Sequence, residues 1–139
     1  MAVPKYPFPI VGGLERQSHE LAKALVQRGY AVHALSSRFD PGQNDVELID
    51  GVQVHRLKWI EFRPVRFLLF PFSLARILVK IRHDVDLVHV HNVSWFGAFV
   101  MLFAKALGLP VITKLPNVGD FGIPGMRRRP FGFLRIAIL

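Results

Sequence analysis

The sequence predicts an α/β fold, a parallel sheet with helices on both faces. Three observations predict it. Short apolar runs alternate along the chain with stretches of helical periodicity, in the order β-α-β-β-α-β-α-β-α. The apolar runs are largely continuous, as expected of strands covered on both sides. No internal repeat or low-complexity tract interrupts the order.

Each element follows from local chemistry. Met1–Val3 is a very short first strand, and Pro4–Val11, with Pro4, Pro7 and Pro9, reads as an extended loop. Gly12-Gly13 precedes a helix marked by Leu14, Ser18, Leu21, Ala22, Leu25 and Val26. Glu15 in its first turn and Arg28 in its last suit the helix dipole, and Gly29 supplies the stop. Tyr30–Leu35 is the second strand, ending at Ser36-Ser37. Arg38–Asp50, with Pro41, Gly42, Asn44 and Asp45, reads as loop, and Gly51 opens a strand over Val52–Leu57. Pro64 and Pro71 break the next stretch, so a helix is expected only from about Phe72 to Arg82. Leu87–His91 is a buried strand; Asn92 to Ser94 cap a helix that runs to Leu107 and ends at Gly108. Val111–Leu115 is the last strand, Pro116–Pro130 a Gly- and Pro-rich loop, and Phe131–Leu139 a further helical pattern. The short first strand and the uncapped last helix suggest a piece of a longer protein.

Composition narrows the function classes. The chain has 139 residues, the size of one domain or part of one. Hydrophobic residues make up 51% and charged residues 20%, which excludes a disordered tail. There is no Cys, which excludes a disulfide scaffold and Cys-based metal or redox sites. The longest apolar runs, Phe67–Phe72 and Trp95–Ala104, fall short of the ~18 residues of a membrane span. No signal-peptide pattern is visible at the start, and a cytoplasmic location is expected. Eighteen Lys+Arg against ten Asp+Glu give a net charge of +8, which suits either a phosphate-bearing partner or an ordinary solvated surface.

Several residues are candidates for chemistry. Gly12-Gly13 lies between the first strand and the first helix, where such sheets face a ligand crevice. The pair either lets backbone approach a phosphate at the helix N-terminus or serves a turn of positive φ. The chain has no G-x-G-x-x-G, and its second strand ends in Ser36-Ser37 rather than an acidic residue, which disfavours a nicotinamide-dependent dehydrogenase. His89 and His91 share one face of their strand. His91 stands at the carboxyl end, where ligands bind, and His89 reads as a core histidine. No metal is expected, because H-x-H lacks a third ligand nearby. Lys114 either meets an anion in the same crevice or snorkels at the sheet edge. Asp120 either accepts a sugar hydroxyl or shapes a turn. Arg127-Arg128-Arg129, with Arg63, Arg66, Arg76, Lys80 and Arg82 among apolar residues, makes an anionic membrane surface a candidate partner. Nucleic acid is not expected as a partner, since no recognition signature is present.

At Pro7–Gln17, which contains Gly12-Gly13-Leu14-Glu15-Arg16, the chain resembles glycosyltransferase family 4. The similarity continues at Leu21–Val32, at Gly51–Arg56, at Asp84–Asn92 and at Ala106–Ile112, in family order and spacing. It implies the N-terminal, Rossmann-like half of a GT-B fold and a retaining transfer of a sugar from a nucleotide-sugar to an acceptor hydroxyl on a glycan or a lipid-linked acceptor. It implies that Gly12 and Gly13 approach the donor's phosphate and sugar; Lys114, where the chain departs from the family pattern, is a further donor-side candidate. Glu15, His91, Asn92 and Asp120 fall on the acceptor side, and no catalytic residue is assigned. No cofactor is implied; the nucleotide-sugar is a co-substrate, and no metal is required.

The sequence departs from the family pattern in three places. The first strand is short. Lys114-Leu115-Pro116 stands where many members carry T-x-H. The two glutamates eight apart of the donor-binding domain are missing, the chain holding only Glu15, Glu20, Glu47 and Glu61. Residues 1–139 alone are therefore expected to show no sugar transfer, with the donor-binding domain lying elsewhere. The alternative is a non-catalytic Rossmann-like module that binds an anionic ligand or a membrane surface.

Overall fold

The computed structural model describes residues 1–6, 12–58 and 63–114. The elements run α1 (Gly13–Gln27), β1 (His33–Ser37), β2 (Val46–Ile49), β3 (Val52–Leu57), α2 (Arg63–Ile81), β4 (Val88–Val90), α3 (Trp95–Ala106) and β5 (Val111–Thr113). Asp120, the triple arginine, the Pro116–Pro130 loop and the Phe131–Leu139 pattern lie outside the described residues.

The strands form one layer around the N-terminal stretch. Ala2 bridges in parallel to Leu35 of β1 on one side and Val90 of β4 on the other. Its amide donates to the His89 carbonyl at 2.8 Å, and its carbonyl accepts from His91 N–H at 3.1 Å. With β1–β3 and β4–β5 paired in parallel, the order is β2-β3-β1-(Ala2)-β4-β5. The arrangement is Rossmann-like, and the strand order reverses at the Ala2 stretch.

Two expectations are corrected. Val46–Ile49 lies within the segment read as loop, yet it pairs antiparallel with β3 at the sheet edge. Asp50 (φ 50) and Gly51 (φ 77) connect the two strands. Two successive positive φ values make the tight hairpin turn that Asp-Gly favours. A Cβ on Gly51 would stand 2.6 Å from Val26 Cγ1, so the turn also needs glycine to pack against α1.

The second correction concerns α2, which begins at Arg63 and runs through Pro71 rather than starting after it. Proline removes one helical hydrogen bond, here to the Phe67 carbonyl, and costs roughly 3 kcal/mol in an isolated helix. Phe70, Leu74, Leu78 and Ile81 fall on one face and are all buried. Burying such side chains contributes roughly 1.5–3 kcal/mol each, so packing outweighs the local penalty.

The core lies on both sides of the sheet. Leu35, Leu57, Val88 and Val90 meet α2 and α3 through Leu74, Leu78, Phe96, Val100 and Met101. Val3, Ala34, Val52 and Val54 meet Ala22 of α1, with Leu25 and Val26 packed at the margin. α3 is capped by Ser94, whose hydroxyl accepts from Gly97 N–H at 3.3 Å, as the sequence predicts. Gly97 is required by contact: a Cβ there would fall 2.1 Å from the Asn92 carbonyl oxygen and 2.9 Å from Val90 Cγ1. Its absence lets α3 lie directly against the end of β4.

Candidate functional site

The carboxyl ends of the parallel strands gather most of the singled-out residues. The N-terminal stretch leads towards the turn that opens α1, β4 leads into His91-Asn92, and β5 leads into Lys114. In sheets of this kind ligands bind outside the carboxyl ends, where the strand order reverses.

Gly12 is the N-cap of α1, with extended backbone (φ −160, ψ −179) and no side-chain cap. Neither Gly12 nor Gly13 is among the residues of positive φ. A turn of positive φ therefore does not account for the pair. Gly13 has open space at its Cβ position; at Gly12 the nearest atom is Glu15 Oε2, at 3.2 Å. Glu15 is half-buried in the first turn, and its carbonyl accepts from the buried Ser18 hydroxyl at 2.8 Å. Uncapped first-turn amides and the positive end of the helix dipole suit an anion.

Lys114 is half-buried just after β5, the last strand of the described sheet, and its backbone N–H donates to the Val90 carbonyl at 2.8 Å. Its ammonium donates to Gln17 Oε1 on α1, one turn past Gly13. That bond ties the end of β5 to the first turns of α1. The second histidine and the lysine thus lie on neighbouring strand ends, and the lysine reaches the helix that the diglycine turn begins.

The burial of the two histidines is the reverse of what their positions along the strand suggest. His91, not His89, is the core residue: it is 1% exposed, while His89 is half-buried. Neither ring nitrogen of His91 has a hydrogen-bond partner among the described residues. Its ring centroid lies 4.1 Å from that of His89. Burial pushes its pKa down to about 3, helped by His89, the N-terminal amine and Lys114. The His89 pKa is also lowered, by burial first. At neutral pH His91 is therefore a neutral imidazole, with one donor and one acceptor and no partner for either among the described residues. An isolated buried polar group of this kind costs roughly 1–3 kcal/mol unless something completes it. His89 lines a cavity of about 350 Å³ with His33, Ile81 and Asp86, at the amino ends of the strands.

Sequence periodicity singles out neither of two further clusters. His33 Nδ1 and His55 Nε2 lie 3.1 Å apart across β1 and β3, with rings stacked. Burial lowers both pKa values, His55 to about 4, with His33, Lys80 and the N-terminal amine adding to the effect there. Tyr6 OH lies 3.3 Å from His19 Nδ1, and His19 Nε2 lies 3.2 Å from Asp50 Oδ2. This chain of contacts ties the start of the proline-bearing segment to α1 and to the β2–β3 turn. Burial and then Asp50 push the Tyr6 phenol up to about 12. Both clusters join residues far apart in sequence, so only the fold reveals them. Among the described residues no group of three or more His, Asp or Glu forms a metal site.

The comparisons agree with this architecture. The glycosyl transferase 4-like domain family matches residues 12–137. No curated protein matches the chain. The family suggests a transferase that works on a sugar donor and an acceptor. With the match spanning most of its length, on a Rossmann-like sheet, the chain belongs to the glycosyl transferase 4-like domain family.

Proposed function

We propose that the chain forms the acceptor-side domain of a retaining glycosyltransferase, which moves a sugar from a nucleotide-sugar to a hydroxyl of a glycan or a lipid-linked glycan. The observations that carry this reading are a diglycine-led helix N-terminus with no side-chain cap and a buried histidine at a strand carboxyl end whose two ring nitrogens lack partners among the described residues. In this reading the bond between the anomeric carbon and the phosphate oxygen breaks, the acceptor oxygen bonds to that carbon on the same face, and the departing diphosphate takes up the negative charge and then the acceptor's proton. The α1 amides at Gly12 and Gly13 and the Lys114 ammonium stabilise that charge as preorganised donors. Neutral His91 donates to one sugar oxygen and accepts from one hydroxyl, with Asn92, Glu15 and Asp120 completing the acceptor side. The ring is covered at 1% exposure, so an acceptor reaches it only when its cover parts. We further propose that the domain works at a membrane surface, because α2 exposes Leu69, Phe72 and Val79.

The test is binding, since turnover is not expected of these 139 residues alone. A UDP-sugar and a GDP-sugar are titrated separately into isotope-labelled chain and followed by NMR. The expected result is a concentration-dependent shift at Gly12, Gly13 and Lys114 with both nucleotides alike, since the diphosphate is what these residues meet, weakened in Lys114→Ala. Shifts confined to residues away from the strand carboxyl ends would overturn the reading.

A further inference from the structure

A second region of the molecule has charge that nothing in sugar transfer uses. On α2, Ser73, Arg76, Ile77 and Lys80 follow the spacing i, i+3, i+4, i+7, which puts them on one flank of the helix. That flank faces β3 and the β2 edge across a groove of about 410 Å³, lined also by Asp45, His55, Leu57 and Lys58.

The groove carries an uncompensated positive charge. Its one acidic residue, Asp45, is taken by Arg38. Arg56, at its margin, is paired with Glu47. Lys58, Arg76 and Lys80 have no ion pair among the described residues, although all three line the same space. Three unpaired cations line one groove, and an anion between them would be attracted to all three. The Ser73 hydroxyl adds a donor, while Leu57 and Ile77 supply apolar walls. A planar guanidinium, two ammonium groups and a hydroxyl match a tetrahedral oxyanion with several acceptor oxygens better than a single carboxylate.

We propose that the groove between α2 and the β2–β3 hairpin binds a phosphate group, held by Lys58, Arg76, Lys80 and Ser73. The site is independent of the diglycine turn: it lies on the α2 side of the sheet, whereas Lys114 meets α1. Phe72, 69% exposed, and Val79 stand on the adjoining strip of α2, so a phosphate carried by a lipid would find an apolar surface beside its head group.

Two probes separate the lipid source from the soluble one. Glycerol 3-phosphate is titrated calorimetrically, and sedimentation is measured with phosphatidylcholine vesicles with and without phosphatidic acid. Arg76→Ala/Lys80→Ala is compared with Lys5→Ala/Lys23→Ala, which removes the same charge away from the groove. Arg76 and Lys80 are exposed, and circular dichroism checks that both variants fold. The expected result is saturable binding of at least one probe, weakened about tenfold or more by the first variant and little by the second. Binding of glycerol 3-phosphate assigns the site to a soluble phosphate; binding of phosphatidic acid vesicles alone assigns it to a lipid. Equal weakening in both variants, or no saturable binding of either probe, would overturn the proposal. Neither result bears on nucleotide-sugar binding at the α1 turn.

Discussion

Acidification should destabilise this protein, and His91 should carry a separable part of the loss. Unfolded, its imidazole protonates near 6.5; folded, it resists protonation down to about 3. As pH falls below 6.5 the unfolded chain binds a proton that the native state cannot. The contribution of His91 is therefore complete above 6.5 and declines until the pH reaches about 3. Each pH unit in that window is worth about 1.4 kcal/mol, so going from pH 7 to pH 5 removes about 2 kcal/mol through His91. His55, held near 4 and also buried, removes about as much again. His33, His89 and the buried N-terminal amine, pushed from 8.0 to about 5, act in the same direction. His91→Leu isolates one term. Urea unfolding of both proteins at the two pH values should show the variant losing about 2 kcal/mol less on acidification. At pH 7 it should be at least as stable as the parent, because two ring nitrogens without a partner among the described residues leave the core. If both proteins lose the same stability between the two pH values, His91 is not a buried neutral histidine and the reasoning fails.

Other consequences follow from single contacts. Gly97→Ala places a methyl 2.1 Å from the Asn92 carbonyl oxygen, a backbone atom that cannot swing aside. The variant should lose at least about 3 kcal/mol in denaturant unfolding and shift the His91 and Asn92 resonances. Pro71→Ala restores the amide that Phe67 C=O lacks, and should raise stability by about 2 kcal/mol with no change in the helix ends seen by NMR. Gly51→Ala forces a side chain into a backbone of φ 77 and against Val26, and should cost about 2 kcal/mol, read as a lowered Tm.

Much of the fold was legible in the chain because its signals are local. The α1 stop at Gly29, where φ is 86, and the α3 cap at Ser94 were readable from residue type alone. The Asp50-Gly51 dipeptide was an equally local hairpin signal; it was masked by the polar residues before it, which made Val46–Ile49 look like loop. Pro71 misled for the opposite reason. Its local penalty is real, but four buried side chains on the same helix outweigh it, and burial is not a local property.

The candidate site divides along the same line. Alternation alone put His89 and His91 on one face of a strand, and element order alone put His91, Lys114 and the diglycine turn at strand or helix ends. Which histidine is covered, that its nitrogens lack partners, and that Lys114 meets Gln17 across 97 residues of chain were decided only when the sheet assembled. Caps, turns and periodicity express the preferences of neighbouring residues, which a sequence carries in full. Strand order, burial and the pKa values that burial shifts depend on what distant segments place around a group, and packing alone determines those.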